Sequence, residues 1–415
     1  MALVLALAHP AAAQELSVGF GIAGLPTPDG GPLGGYGGIR DRRANGTLDP
    51  PEARALVLEQ GDLRVALVAL DLLIARPALR DPLLEETHPL GIDLLVLVAT
   101  HTHSGPGGYL EGWAPERMTG GRFDAGTPGR LVRAGARALG RALEDLRRVR
   151  VATALGTVGL AANRREEGGP SETALPVLGF SRRGQSGGRV LFAYGAHPTV
   201  LPRASRRYSA DYPGAARAYL RGQGWDATFV PGPLGDQGPV EEAGAKEPET
   251  RMRRVGDRLG KAVLRTLDGA TFASRTPLSA VERWVELPPT HLRRGCLLWW
   301  FGPIIGRSLR GFLSPRVPFQ AIRVGDAILL ALPAEPTSRV GDRVRALAPG
   351  GTVPFVLAHA NDWIGYVVEQ ERYASGGYEA CLAFHGPELA DWLVAESEET
   401  LRLLAGRTVS RDSGR

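Results

Sequence analysis

The sequence predicts an α/β protein: a mixed β-sheet core flanked by helices in a single large domain, with the functional site at the carboxyl ends of the strands. Short buried runs alternate with amphipathic helical stretches over most of the 415 residues, the pattern of layered α/β packing. Polar residues recur where those runs stop. Neither an internal repeat, a heptad pattern nor a low-complexity linker interrupts the chain.

In order, the runs with strand character are LRVALVALDLLIA (63–75), IDLLVLVAT (92–100), RVLFAYGA (189–196), DATFVPG (226–232), DAILLALPA (326–334) and VPFVLAHA (353–360). Each is short, leucine-rich or β-branched, and bounded by turn residues. Thr127-Pro128 opens an amphipathic helix over 129–148, in which Leu131, Ala138, Leu139, Ala142, Leu143 and Leu146 share a face, because proline is tolerated in a helix's first turn. Residues 248–267, 336–347 and 387–405 also read as helices, the last closing the domain. The Gly- and Pro-rich stretches 24–38 and 165–188 read as long loops, segments that often carry function in a compact domain.

Composition narrows the function classes. Hydrophobic residues make up 43% and charged residues 22%, as in globular proteins. The net charge is only +5 and Lys246 and Lys261 are the sole lysines. The arginines are dispersed among 44 acids with no basic block, so nucleic acid is not an expected partner. MALVLALAHPAAAQ (1–14) resembles the end of a secretory signal peptide, with an apolar run and an Ala-x-Ala pattern but no basic start. We therefore expect a leader remnant over 1–14, a domain over 15–405, a flexible tail over 406–415, and export to the periplasm or beyond. Cys296 and Cys381 could pair in an oxidising compartment or remain buried thiols.

Five strand ends deliver side chains of one chemical kind. His101 and His103 follow 92–100, His197 follows 189–196, Asp236 follows 226–232, Glu335 follows 326–334, and Asn361, Asp362 and Tyr366 follow 353–360. Open α/β sheets place their sites there because loops with free backbone groups converge at that edge. Residues i and i+2 of an extended segment face one side, so His101 and His103 address one cavity. Imidazole and carboxylate suit zinc, and a catalytic zinc keeps about three protein ligands and an open position. His101 or His103, with His197 and Glu335, would supply them. Bound zinc would lower the pKa of its water to about 7 and polarise a carbonyl. By spacing alone, His-x-His also fits barrel amidohydrolases and β-lactamase-like metal hydrolases, although the latter continue with an acid and another histidine where this loop continues with Ser104-Gly105-Pro106.

The motifs taken together resemble the neutral ceramidase family. THTHSGPGGY (100–109) resembles its zinc-site signature and AANRR (161–165) its Asn-Arg loop. YGAHPTVL (194–201) with SADYPG (209–214) is similar to its second histidine segment, and GDQGP (235–239) to its Gly-Asp loop. ALPAEPTSRVGDRVR (331–345) and HANDWIGYVVEQERYASGGYE (359–379) match the glutamate- and tyrosine-bearing segments. The likeness spans roughly 17–405. It implies zinc held by His101, His197, Glu335 and Tyr366, with His103 facing substrate, Arg164 orienting a polar group or developing negative charge, and Asp211 and Asp236 holding loops or orienting histidines. The implied activity is hydrolysis of an amide bond in an N-acyl sphingolipid or related N-acyl amine, with possible transient contact with a membrane surface.

Two departures stand out. The family carries a serine where this chain has Gly238, so no hydroxyl nucleophile acts there. Attack by metal-activated water remains, with His103 or Asp236 as acid/base. The chain also stops soon after 387–405, where ceramidases continue into an immunoglobulin-like domain. A zinc esterase or amidase for a non-lipid substrate, and a non-catalytic ligand-binding homologue, are the alternatives. CLLWWFGPIIG (296–306) with GFLSP (311–315) would suit an acyl chain at the pocket mouth or serve as ordinary core. Asp71 reads as a structural acid; the pairs Glu166-Glu167 and Glu241-Glu242 read as solvated loop; His88, His291 and His385 lack a convergent setting.

Overall fold

The computed structural model describes residues 4–7, 15–37, 42–119, 121–182, 187–240, 246–296 and 311–406. Among them, three sheets form the frame. The first contains β2 (Ser17–Gly24), β3 (Glu52–Gln60), β4 (Leu63–Leu70), β5 (Leu94–Ala99) and β6 (Arg147–Arg148), ordered β5-β4-β3-β2-β6. The second contains β7 (Arg150–Thr157), β9 (Ala174–Ser181), β10 (Gly188–Tyr194) and β11 (Trp225–Pro231), ordered β11-β10-β9-β7. The third runs β1 (Val4–Leu7), β13 (Leu278–Glu286), β14 (Arg316–Val324), β15 (Ala327–Ala331) and β17 (Val353–Leu357). Two short pairs complete the sheet structure: β8 (Ala161–Asn163) with β12 (Gln237–Pro239), and β16 (Glu335–Pro336) with β18 (Tyr366–Val367).

Apart from the exposed β6 and the partly exposed β7, most strands of the frame are buried on both faces, and their two-residue period decides which core each side chain joins. In β4, Val65, Leu67 and Ala69 enter a central cluster shared by the inner faces of all three sheets. Ala66, Val68 and Leu70 face outward, beneath α1 (Pro77–Thr87) and α3 (Gly126–Glu144). Likewise Leu191 and Ala193 of β10 face the centre, while Val190, Phe192 and Tyr194 pack under α4 (Asp211–Gly222) and α5 (Pro248–Leu267). Leu329 and Ala331 of β15 face the centre; Ile328 and Leu330 pack under the helices Ser338–Arg345 and Leu389–Ala405. Close helix–sheet approach depends on small residues. Gly19 and Gly21 of β2 pass directly under α3, where a Cβ would run into the carbonyl oxygens of Ala142 and Ala138.

All six strands expected from apolar runs are present, and so are the four helices, with trimmed ends. The stretch 165–188 is not one loop: it contains β9, central to the second sheet. Pro176 and Gly179 disguise it. Pro176 lies just beyond the last residue paired with β10, so its missing N–H is tolerated there, and Gly179 lets Leu267 of α5 approach. Phe312 and Leu313 are core residues, with Phe312 against Trp363; residues 297–310 of the neighbouring apolar stretch lie outside the described residues, as do Glu241 and Glu242. No described helix is long and apolar enough to cross a membrane. Cys296 and Cys381 form a disulfide.

Each sheet is mixed for the same reason. Its one parallel pair, β4 with β5, β10 with β11, or β15 with β17, lies at an edge, and the loops leaving those carboxyl ends meet over the central core. A buried ion pair ties two of the sheets together at that meeting point. Asp71, just past β4, accepts two hydrogen bonds from Arg217 of α4 at 2.8 and 2.6 Å, one from Thr100 Oγ1 at 3.1 Å and one from the Glu52 N–H at 2.8 Å. Asp71 is thus structural, and the same pair spans the segments before His101 and after His197. Arg217→Leu should lower the unfolding free energy by about 3–5 kcal/mol, because it strands a buried carboxylate. Urea unfolding of the two proteins measures this, and a loss below about 1 kcal/mol would show that the pair does not hold the sheets together.

Candidate metal centre

Beyond β5 the chain continues alongside residues 70–73, with the Thr100 and His101 N–H groups donating to Leu70 and Leu72 carbonyls, each at 2.9 Å. His101 has φ of 66°, a left-handed backbone that costs a non-glycine residue energy and recurs at functional positions. Its Nδ1 lies 2.7 Å from the Leu73 carbonyl. A carbonyl accepts only, so the neutral ring carries its proton on Nδ1 and turns an Nε2 lone pair inward. His103 has the opposite tautomer. Its Nδ1 accepts the Tyr36 N–H at 3.3 Å, which leaves the proton on Nε2, 3.4 Å from His101 Nε2. The loop carrying Tyr36 reaches His103 only because residue 35 is glycine: φ is 83°, and a Cβ there would sit 2.6 Å from His103 Cα.

His197 leaves β10 and meets the same point. Its Nδ1 donates to the Gln237 carbonyl at 2.9 Å, so its Nε2 lone pair also faces inward, 3.0 Å from Glu335 Oε1. Glu335 opens β16, and its Oε2 accepts the Trp363 indole N–H at 3.1 Å; Oε1 is also 3.6 Å from His101 Nε2. Tyr366, paired in register with Glu335, places its hydroxyl 3.5 Å from His197 Nε2. Arg164 Nη2 lies 3.1 Å from His197 Nε2 and 3.3 Å from the Tyr366 hydroxyl, and donates to the Gly235 carbonyl at 2.9 Å.

Burial pushes the imidazoles of His101, His103 and His197 below their usual value. It is reinforced for His197 by the Arg164 cation and for His103 by its histidine neighbours. Burial, and next the Glu335 carboxylate, holds the Tyr366 phenol well above its usual value. Glu335 Oε1 is buried and has no hydrogen-bond partner. Two imidazole lone pairs and an unpaired carboxylate oxygen therefore face one another; His103 Nε2–H and Arg164 Nη2 approach the imidazole nitrogens at 3.4 and 3.1 Å, and Glu335 Oε1 is left without a donor. A cation resolves that repulsion, and imidazole, carboxylate and phenol oxygen form a donor set suited to a divalent transition metal. His101, His103 and His197 form one group compatible with an ion, and His101, Glu335 and His359 another.

The structure thus brings together His101, His103, His197, Glu335, Tyr366 and Arg164. It does not bring Asp236, and the expectation that Asp236 is an acid/base is corrected. Its Oδ1 accepts the Ser338 N–H at 2.8 Å, and its Oδ2 accepts Ser338 Oγ and Asn163 Nδ2, each at 2.9 Å. Saturated in this way, it fastens the helix after Glu335 to the loop before Arg164. Asp211 accepts the Leu201 N–H at 2.9 Å and the Tyr212 N–H at 2.6 Å, holding the loop after His197. Glu379 clamps Arg165 at 2.6 and 2.8 Å and lies 3.3 Å from Arg164. Sequence reasoning missed His359, which follows β17 as His101 follows β5; its place at a strand's carboxyl end was the available signal.

Above this group opens a cleft of about 650 Å³. Its lining combines apolar Leu73, Ile74, Trp363 and Leu382 with polar Tyr36, Arg203, Arg164 and Arg165. In the metal-free protein, imidazole nitrogen NMR should show Nδ1–H tautomers for His101 and His197 and an Nε2–H tautomer for His103. An Nδ1–H signal for His103 would mean that the Tyr36 N–H does not bond to it.

No protein-family model matches the chain. The neutral ceramidase of Mycobacterium tuberculosis is 25% identical over 494 aligned residues, covering 93% of this chain and 77% of that protein. The crystal structure of neutral ceramidase from Pseudomonas aeruginosa superposes with a TM-score of 0.81 at 21% identity, over 95% of this chain and 75% of its own. A ceramidase complexed with C2 gives 0.78 at 20% identity, over 97% and 77%. In sequence the chain is thus similar to a neutral ceramidase, and in fold to two ceramidase structures.

Proposed function

We propose that this chain is a zinc-dependent amide hydrolase acting on an N-acyl sphingolipid or a related N-acyl amine. The observation that carries the reading is the buried Glu335 Oε1, unpaired and facing the Nε2 atoms of His197 and His101 at 3.0 and 3.6 Å. His101, His197, Glu335 and Tyr366 would hold the ion. When bound, zinc supplies Lewis acidity that polarises a carbonyl and acidifies water.

The chain's own residues do the rest. A neutral imidazole with its proton on Nε2 is a good hydrogen-bond donor, so His103 would serve the substrate carbonyl oxygen or the leaving amine, and the proton shed by the attacking water passes to that amine as the C–N bond breaks. Arg164 donates from the same side of the cleft. Both groups act where negative charge grows as the carbonyl carbon becomes tetrahedral. The mixed apolar and polar lining of the cleft suits a substrate with an apolar acyl chain and a polar amine, as the names of the related enzymes suggest for them. The Cys296–Cys381 disulfide supports an exported protein, since such bonds persist in oxidising compartments.

Metal analysis tests the centre. Protein expressed with zinc should hold about one equivalent, and His101→Ala and His197→Ala should lose it together with hydrolysis of long-chain N-acyl amines. Less than about half an equivalent in the parent, with no change in the variants, would sink the assignment. Equal rates on long- and short-chain amides would favour the non-lipid amidase instead.

Gly238 provides a second test. A Cβ there would meet nothing closer than Arg164 Cβ at 3.9 Å, so Gly238→Ser should fold normally and leave kcat within about threefold, because the proposed chemistry needs no hydroxyl there. A gain of tenfold or more would instead show that this chain's reaction is limited by the missing serine.

A further inference from the structure

His359 has no part in the ligand set just described, yet it is fully buried beside it. Its φ of 54° is left-handed, and neither ring nitrogen has a hydrogen-bond partner. An unpaired buried polar group is destabilising, so an imidazole kept in that state at strained backbone calls for a reason. Two backbone hydrogen bonds pin it. Its N–H donates to the Ala334 carbonyl at 3.1 Å, and its carbonyl accepts the Ala99 N–H at 3.2 Å. It is therefore gripped between the two strand ends that carry Glu335 and His101.

The ring lies flat against His101, with centroids 4.0 Å apart and planes at 17°. Its Nε2 is 3.7 Å from Glu335 Oε2, the oxygen that already accepts the Trp363 indole N–H. Although His101, Glu335 and His359 lie close enough to share an ion, rings stacked in this way aim their in-plane lone pairs side by side, which favours a supporting place for His359 over a ligand's. The stack instead defines the plane of His101. The nitrogen faces the outer side of the carboxylate whose inner oxygen is unpaired.

We propose that His359 is a positioning residue of the metal centre: it backs the His101 ring by stacking and, with an ion bound, closes its 3.7 Å approach to Glu335 Oε2 as a ring N–H donor, so that Oε1 alone is presented to the cation. The inference rests on the metal-centre reading above. Carboxylates that bind metal are commonly held by hydrogen bonds to their other oxygen, and losing such a partner typically weakens metal affinity by about 10–100-fold.

Zinc affinity by chelator competition, and the visible spectrum of the cobalt-loaded protein, test it on the full chain. His359→Phe keeps the stack and removes the nitrogens; His359→Leu removes both; His359→Gln restores an N–H. The expected result is zinc binding weakened about 10–100-fold in the Phe variant, at least as much in the Leu variant, and partly recovered in the Gln variant, with an altered cobalt spectrum for Phe. Thermal melts without metal report whether each variant is folded, and Leu serves if Phe is not. Parent-like affinity and spectrum in a folded Phe or Leu variant overturn the inference and leave the metal centre standing. Uptake of a second ion by the parent, abolished in the Phe variant, also overturns it by making His359 a ligand. A parent that binds no zinc removes the metal-centre reading itself.

Discussion

Glu335 Oε1, itself without a hydrogen-bond partner, is held 3.0–3.6 Å from the Nε2 atoms of His197 and His101, and the rest of the interior makes sense as the means of holding them there. Left to themselves, such groups would turn away or take up a proton. They cannot turn, because the Leu73 and Gln237 carbonyls claim the Nδ1 atoms and the Trp363 indole claims Glu335 Oε2. Burial makes protonation of the imidazoles costly. The fold thus holds an arrangement that a bound cation would complete, and packing elsewhere offsets the cost.

The architecture explains how three remote parts of the chain reach one point. Every main sheet carries a parallel strand pair at an edge, and the three pairs release their loops on the same side of the central apolar core. Convergence then has to be locked. Asp71 and Arg217 lock the His101 segment to the helix that follows the His197 loop, and Asp236 locks the Glu335 helix to the Arg164 loop through Ser338 and Asn163. Both are acids near the site whose two carboxylate oxygens each accept hydrogen bonds from the protein. Their oxygens are fully committed, and that commitment is what makes the nearby uncommitted oxygen of Glu335 conspicuous.

The two adjacent histidines show how a backbone contact divides labour. His101 and His103 share one cavity and differ only in what meets Nδ1: a carbonyl in the first case, an N–H in the second. One ring therefore offers a lone pair and the other a proton. That division, with the guanidinium of Arg164 alongside, provides both an electron-pair donor set for a cation and hydrogen-bond donors for a carbonyl oxygen. It also fits a chain with glycine at 238, since neither task requires a hydroxyl in that loop.

The strands at the carboxyl ends of which the site lies were legible in the sequence, because strands buried on both faces read as continuous apolar runs, as in LLVLVA (94–99). Their terminal His101, His197 and Glu335 were legible as well, since few residue types suit that position and chemistry. The antiparallel strands were not. Arg54, Glu282 and Gln320 interrupt their apolar pattern, and each is made tolerable only by a distant partner, such as the Ala227 carbonyl at 2.7 Å from Arg54 Nη1. The roles of Asp236 and His359 were equally hidden. A carboxylate's partners and an imidazole's stacking neighbour come from segments tens to hundreds of positions away, so spacing along the chain carries no record of them. The sequence by itself determined which side chains arrive at the strand ends; only the tertiary structure decided which of their nitrogens and oxygens are spoken for, because that depends on hydrogen bonds formed after the three sheets have closed on one core.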